Sequence, residues 1–138
     1  LKNMPHMKRL RIDCIDFKSN TNRINLSVLA ELSLKSLHME CFDLIDYEFI
    51  QNLSDELEEL FIMADTMGAG IRFDCTWLLK YKNLHTLWLG KKAKKNLEKI
   101  NQLPKLKSLS LRGIKLTDFS FLWKMNLEKE ALHILIIS

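Results

Sequence analysis

The side chains best suited to metal or redox chemistry are the three cysteines and four histidines of this 138-residue chain. Cys14 and Cys41 occupy equivalent places in two similar segments, and Cys75 stands alone. Zinc and redox sites use spacings such as Cys-x-x-Cys or His-x-x-x-His, and the sequence contains neither. His85 and His133 lie two repeat units apart, which is too far for both to chelate one ion. We therefore predict free thiols that pack as small apolar residues, with no metal and no cofactor.

A second group with chemical potential is the basic run Lys91, Lys92, Lys94 and Lys95. Lysines can contact phosphates, but no aromatic residue interrupts the run to stack on a base. The segment 67–70 lacks the lysine and serine or threonine of a phosphate-binding loop. No serine, cysteine or carboxylate is paired with a base in a recognisable catalytic motif. The sequence predicts neither an enzyme nor a nucleic-acid-binding protein.

The composition is that of a soluble globular domain, with 47% hydrophobic and 28% charged residues. The 21 basic and 17 acidic residues are interleaved, so the net charge of +4 does not indicate a polyanionic partner. No apolar run approaches the roughly 20 residues that cross a bilayer. An odd number of cysteines without a disulfide framework favours a reducing compartment, which predicts a cytoplasmic location.

The strongest feature of the sequence is an internal repeat. The segment 7–17 aligns with the segment 34–44, with nearly every place identical or similar. The frame returns further along, so that the repeat starts fall at 7, 34, 57, 84, 106 and 132, with spacings of 22 to 27 residues. A start at Leu29 also fits, but only the start at 34 aligns Cys14 with Cys41. Repeats of about 20–29 residues predict a chain built from stacked units.

These units resemble the leucine-rich-repeat family, whose core reads Leu-x-x-Leu-x-Leu, and the resemblance covers essentially the whole chain. The segment 114–122 looks like the short repeats of internalin-type bacterial proteins. The ninth place departs from the family's asparagine, because it holds Ile15, Phe42, Asp65, Lys92 and Ile114. The asparagine ladder is therefore absent, and the turns must find other hydrogen-bond partners. The resemblance implies one α/β domain over 1–138, a right-handed solenoid with a parallel concave sheet and helical or irregular convex returns, as part of a longer solenoid.

The repeat frame also predicts which way each side chain points. Alternate residues of a strand face opposite sides, so the fourth and sixth places face the core and the third, fifth and seventh face outward. In the last unit this places Leu135 and Ile137 inward, with Ile134 and Ile136 outward, so both faces are apolar. We expect another repeat, a cap or edge-to-edge self-association to cover that strand. The six strands are predicted, adjacent in sequence order, at 9–13, 36–40, 59–63, 86–90, 108–112 and 134–137.

The outward places change character along the chain, from charged to aromatic and then to small residues such as Ser108 and Ser110. Aromatic residues on a solvent face usually mark a binding surface, with a polar rim around them. We therefore expect a protein partner on the concave face. Alternatives are a structural spacer, or a substrate-binding arm of a larger multidomain protein or effector enzyme. The predicted partner-binding residues are Arg11, His38, Phe61, Met63, Trp88 and Arg112.

Overall fold

The fold is built on one parallel β-sheet accompanied by short helices, which is an α/β arrangement. The computed structural model describes residues 4, 6–14, 26–41, 44–63, 70–118, 120–123, 125 and 133–137. Its six strands pair in sequence order, each parallel to the next, as the repeat frame predicts. The strands are β1 (Arg9–Cys14), β2 (Ser36–Cys41), β3 (Glu59–Ile62), β4 (Thr86–Leu89), β5 (Ser108–Arg112) and β6 (His133–Ile137).

Each return between described strands carries one short helix. Four of these are 3₁₀ helices, at Ser27–Glu31, Glu48–Asn52, Cys75–Lys80 and Leu97–Gln102, and the fifth is a single α-helical turn at Ser120–Trp123. A 3₁₀ helix has three residues per turn, so apolar residues three positions apart lie in one row along it. The last 3₁₀ helix shows this, since Leu97, Ile100 and Leu103 are all buried.

One hydrophobic core lies between the sheet and the helical returns. The fourth-place residues of β2 to β5 expose 1% of their surface or less, and the sixth-place residues of the same strands expose none. The returns contribute residues such as Leu29, Ile50 and Leu78, which are also fully buried. The predicted inward places are therefore confirmed for these four strands. They are Leu37, Leu60, Leu87 and Leu109, followed by Met39, Ile62, Leu89 and Leu111.

Two predictions of side-chain direction need correction. Ser110 was expected on the solvent face, yet it is buried, with 4% of its surface exposed. Its neighbour in register on β4 is Trp88, and a strand also flanks it on the other side. A short side chain beside one as large as Trp88 is easily covered, so an outward place does not guarantee exposure.

The second correction concerns β6, whose register is shifted by one residue from the predicted frame. Ile134 and Ile136 pair with the core positions Leu109 and Leu111, the places predicted for Leu135 and Ile137. A one-residue slip exchanges the two faces of a strand, and only an alternating pattern specifies the register firmly. Four consecutive apolar residues, 134–137, have no such alternation, so the sequence fits either register equally well.

Among the described helices, none combines the length and apolar character that crossing a membrane requires.

Candidate binding surface on the open face of the sheet

The face of the sheet opposite the core, here called the open face, carries a row of side chains at the fifth place of each unit. The strand register sets Arg11 beside His38, His38 beside Phe61, and Phe61 beside Trp88. Ser110 follows Trp88 in the same row. Four of the six predicted partner-binding residues are thus adjacent, because the strands are parallel and the repeat keeps them in register.

The centre of this row is an aromatic ladder, formed by His38, Phe61 and Trp88. The His38 and Phe61 rings are stacked, with centroids 5.1 Å apart and planes inclined by 19°. The Phe61 and Trp88 centroids are 5.2 Å apart, with the planes tilted by 60°. The predicted contact between Phe61 and Trp88 is therefore confirmed. Such ring pairs contribute about 0.5–1.5 kcal/mol beyond the area they bury.

The aromatic ladder remains accessible from solvent. Trp88 exposes 36% of its surface, while His38 and Phe61 are half-buried by their neighbours. Large apolar side chains in contact with one another on a solvent-facing sheet are unusual unless something binds there. Each ring of the ladder projects from a β-strand and contacts the next ring.

A charged cluster lies at the β1 end of the row. The Arg11 Nε donates to both carboxylate oxygens of Asp13, at 2.9 and 2.8 Å, and its Nη2 lies 3.4 Å from a carboxylate oxygen of Glu40. Burial lowers the pKa of His38, and the positive charge of Arg11 lowers it further. The His38 Nε2 is buried and has no hydrogen-bond partner within the described part of the chain.

The other two predicted site residues lie further along the strands, at the seventh place. Met63 follows β3 and is half-buried, and its N–H donates to the Met39 carbonyl at 2.9 Å. Arg112 ends β5 and is exposed. The intervening seventh place is Gly90, which offers no side chain. Met63 and Arg112 are thus neighbours of the ladder on the same side of the sheet, not members of it.

The lysine run after β4 is a solvent-exposed turn anchored at one end. Lys91 and Lys94 are exposed, and the Lys95 Nζ lies 3.1 Å from a carboxylate oxygen of Asp74. The turn closes through the Ala93 N–H, which donates to the Gly90 carbonyl at 3.0 Å. This backbone hydrogen bond closes the turn without an asparagine side chain at the ninth place.

The thiols behave as core side chains where the structure describes them. Cys41 and Cys75 are both fully buried. Burial raises the pKa of Cys75, and the nearby charge of Asp74 raises it further. A thiol that resists ionisation is a poor nucleophile and a poor metal ligand. Cys14 and Cys41 are paired in register, as the repeat alignment predicts.

Two features of the site were not recognised in the sequence. The first is the convergence of Asp13, His38 and Glu40, whose ligand atoms lie within 4.8 Å of one another. Asp13 and Glu40 occupy the same place in adjacent units, and this acidic pair is the sequence feature that could have indicated the cluster. The second is a buried network around Asp74 on the helical side, which joins residues 22 positions apart without a repeat signature.

Comparison with known proteins gives no family to which this chain could be assigned, because no family model and no curated protein matches it. Its function has to be inferred from the surface itself.

Proposed function

We propose that this chain is a leucine-rich-repeat solenoid that binds a protein partner on the open face of its sheet. In such a solenoid that face is concave, and stacked repeats present side chains from many strands to one partner. The repeat spacing, the parallel strands in sequence order and the helical returns support this reading. The buried thiol of Cys75 suits a reducing, cytoplasmic location.

The observation that carries the proposal is the exposed aromatic ladder. Trp88 is 36% exposed although Phe61 lies directly beside it and buried positions flank it along β4. Tryptophan and arginine are enriched among the interface residues that contribute most binding energy, and such residues cluster inside a polar rim. Arg11 and Arg112, both exposed, lie on either side of the ladder and suit that rim.

A structural spacer would not require an exposed aromatic row, because stacking of the repeats depends on the inward residues alone. A substrate-binding arm would use the same surface for a macromolecular substrate, so it is a special case of the same proposal. The exposed aromatic ladder therefore favours partner recognition over a role as a structural spacer.

The test starts from a partner captured with the full-length protein and continues with titration of purified variants. Trp88→Ala and Phe61→Ala should each weaken binding by about 2 kcal/mol or more, which corresponds to roughly 30-fold in Kd. Ser108→Ala, on the same face, should bind normally. Trp123→Ala is the matched control for loss of an exposed tryptophan, since Trp123 is 79% exposed and lies on a helical return.

Circular dichroism and urea unfolding establish that each variant is folded before its affinity is compared. Full affinity in both Trp88→Ala and Phe61→Ala would refute binding at the aromatic ladder. Loss of binding in Trp123→Ala alone would move the interface to the helical returns.

A further inference from the structure

The first observation is a set of three metal-binding side chains at the β1 end of the open face. Asp13 and Glu40 are directly paired in the register of β1 and β2, and His38 precedes Glu40 by two residues on the same face. One ligand atom from each residue lies within 4.8 Å of the others. Two carboxylates and one imidazole form a donor set that divalent transition metals accept, Zn²⁺ in particular. Because the three residues lie on paired strands, their backbones are already fixed.

The second observation is the orphaned nitrogen of His38. Its Nε2 exposes less than 1 Å² to solvent and has no hydrogen-bond partner among the residues that the structure describes. Buried polar atoms are nearly always satisfied, and an exception calls for an explanation such as an ion. The stacked Phe61 ring restrains the imidazole from one side. The imidazole thus lies beside two carboxylates, through one of its two ring nitrogens, while its Nε2 has no partner among the described residues.

The third observation is that Arg11 lies within this group. Its guanidinium contacts both carboxylates, at 2.8 Å to Asp13 and 3.4 Å to Glu40, and its single positive charge balances only one of them. The Arg11 side chain is nevertheless 59% exposed. Solvent screens ion pairs of that exposure, so they are weak competitors for a doubly charged ion that also gains an imidazole ligand. The exposed guanidinium is free to rotate into solvent when an ion replaces it.

We propose that Asp13, His38 and Glu40 bind a divalent transition-metal ion, with Zn²⁺ the best match, and that Arg11 is its internal competitor. Three protein ligands leave a fourth tetrahedral position open. That position would lie on the open face beside the aromatic ladder, where water or a carboxylate or imidazole from a bound molecule could complete the coordination.

The test uses the protein alone, so its outcome is independent of any protein partner. Titration calorimetry with Zn²⁺ should show one saturable site per chain. His38→Ala should weaken that site by at least about tenfold, since loss of even a supporting partner of a metal ligand has that effect. Arg11→Met should tighten it by up to about fivefold, because the competing positive charge is removed. His85→Ala is the matched control and should leave the affinity unchanged.

Titration with Co²⁺ identifies the ligands by absorption. Absorption bands of Co²⁺ with oxygen and nitrogen ligands should appear. Their loss in His38→Ala and retention in His85→Ala would support the proposal. A thiolate charge-transfer band would assign the ion to a cysteine and overturn it. Absence of saturable binding, or equal affinity in the wild type and His38→Ala, would overturn it as well. Circular dichroism confirms that each variant remains folded.

Discussion

The side-chain amide of Asn96 donates to both carboxylate oxygens of Asp74, at 3.0 and 2.9 Å. Asp74 precedes the 3₁₀ helix Cys75–Lys80 and accepts the Thr76 N–H at 3.0 Å, while Asn96 precedes the next 3₁₀ helix. One buried carboxylate therefore joins two consecutive returns on the side away from the sheet. Burial by itself raises the pKa of Asp74, but the hydrogen bonds from Asn96 and Thr76 outweigh it and hold that pKa well below its usual range.

Asp74→Asn should lower the free energy of unfolding by roughly 2 kcal/mol at pH 7, because charge-assisted hydrogen bonds are lost from a buried site. The folded-state pKa is depressed, so the stability from Asp74 is fully present above the unfolded pKa of about 4 and is lost as pH falls toward the folded pKa. The difference between the wild type and Asp74→Asn in urea unfolding should therefore shrink below about pH 4. Asp55→Asn is the control, since that side chain is 81% exposed. A difference that does not depend on pH would contradict this account.

Leu87→Ala should cost about 2–5 kcal/mol of unfolding free energy, because it opens a cavity in a fully buried position. Ser108→Ala changes a half-buried residue on the open face and should be nearly silent. Equilibrium urea unfolding of both variants makes the comparison. Similar losses in the two would show that the strand register assigned here is wrong.

Phe61 and Trp88 should stabilise each other. A double-mutant cycle with Phe61→Ala, Trp88→Ala and the double variant should give a coupling of about 0.5–1.5 kcal/mol in unfolding free energy. The 5.2 Å separation of the ring centroids is the reason. A second double-mutant cycle with Phe61→Ala and Trp123→Ala provides the reference. Trp123 lies on a helical return, so its replacement should be additive with that of Phe61. Strict additivity between Phe61 and Trp88 would mean that the rings do not interact in solution.

Arg112→Ala should act on the kinetics of partner binding and not on the fold. An exposed rim charge mainly steers association, so the variant should have a lower association rate with a weaker dependence on salt, at nearly unchanged dissociation rate. Stopped-flow or surface-based kinetics at several salt concentrations measures this. A large rise in the dissociation rate would instead place Arg112 at the centre of the interface.

Much of the fold could be predicted because it follows from one local pattern. Apolar residues at the fourth and sixth places of each unit are enough to predict strand position and direction for β1 to β5, since residues two apart on a strand lie on one face. The same frame predicts that Phe61 lies beside Trp88, as the structure shows. It went wrong in β6, where four consecutive apolar residues allow two registers, and at Ser110, whose burial depends on the size of its neighbours.

The sequence by itself determined the repeat, the inward residues of the central strands and the row of outward aromatic residues, because each depends on spacing along the chain. Only the tertiary structure decided how residues from different units meet. It brought Asp13, His38 and Glu40 within 4.8 Å of one another, and it paired Asp74 with Asn96. Those contacts depend on side-chain rotamers and on how one return packs against the next. No local periodicity encodes either, so the candidate metal ligands and the buried carboxylate appear only once the strands are stacked.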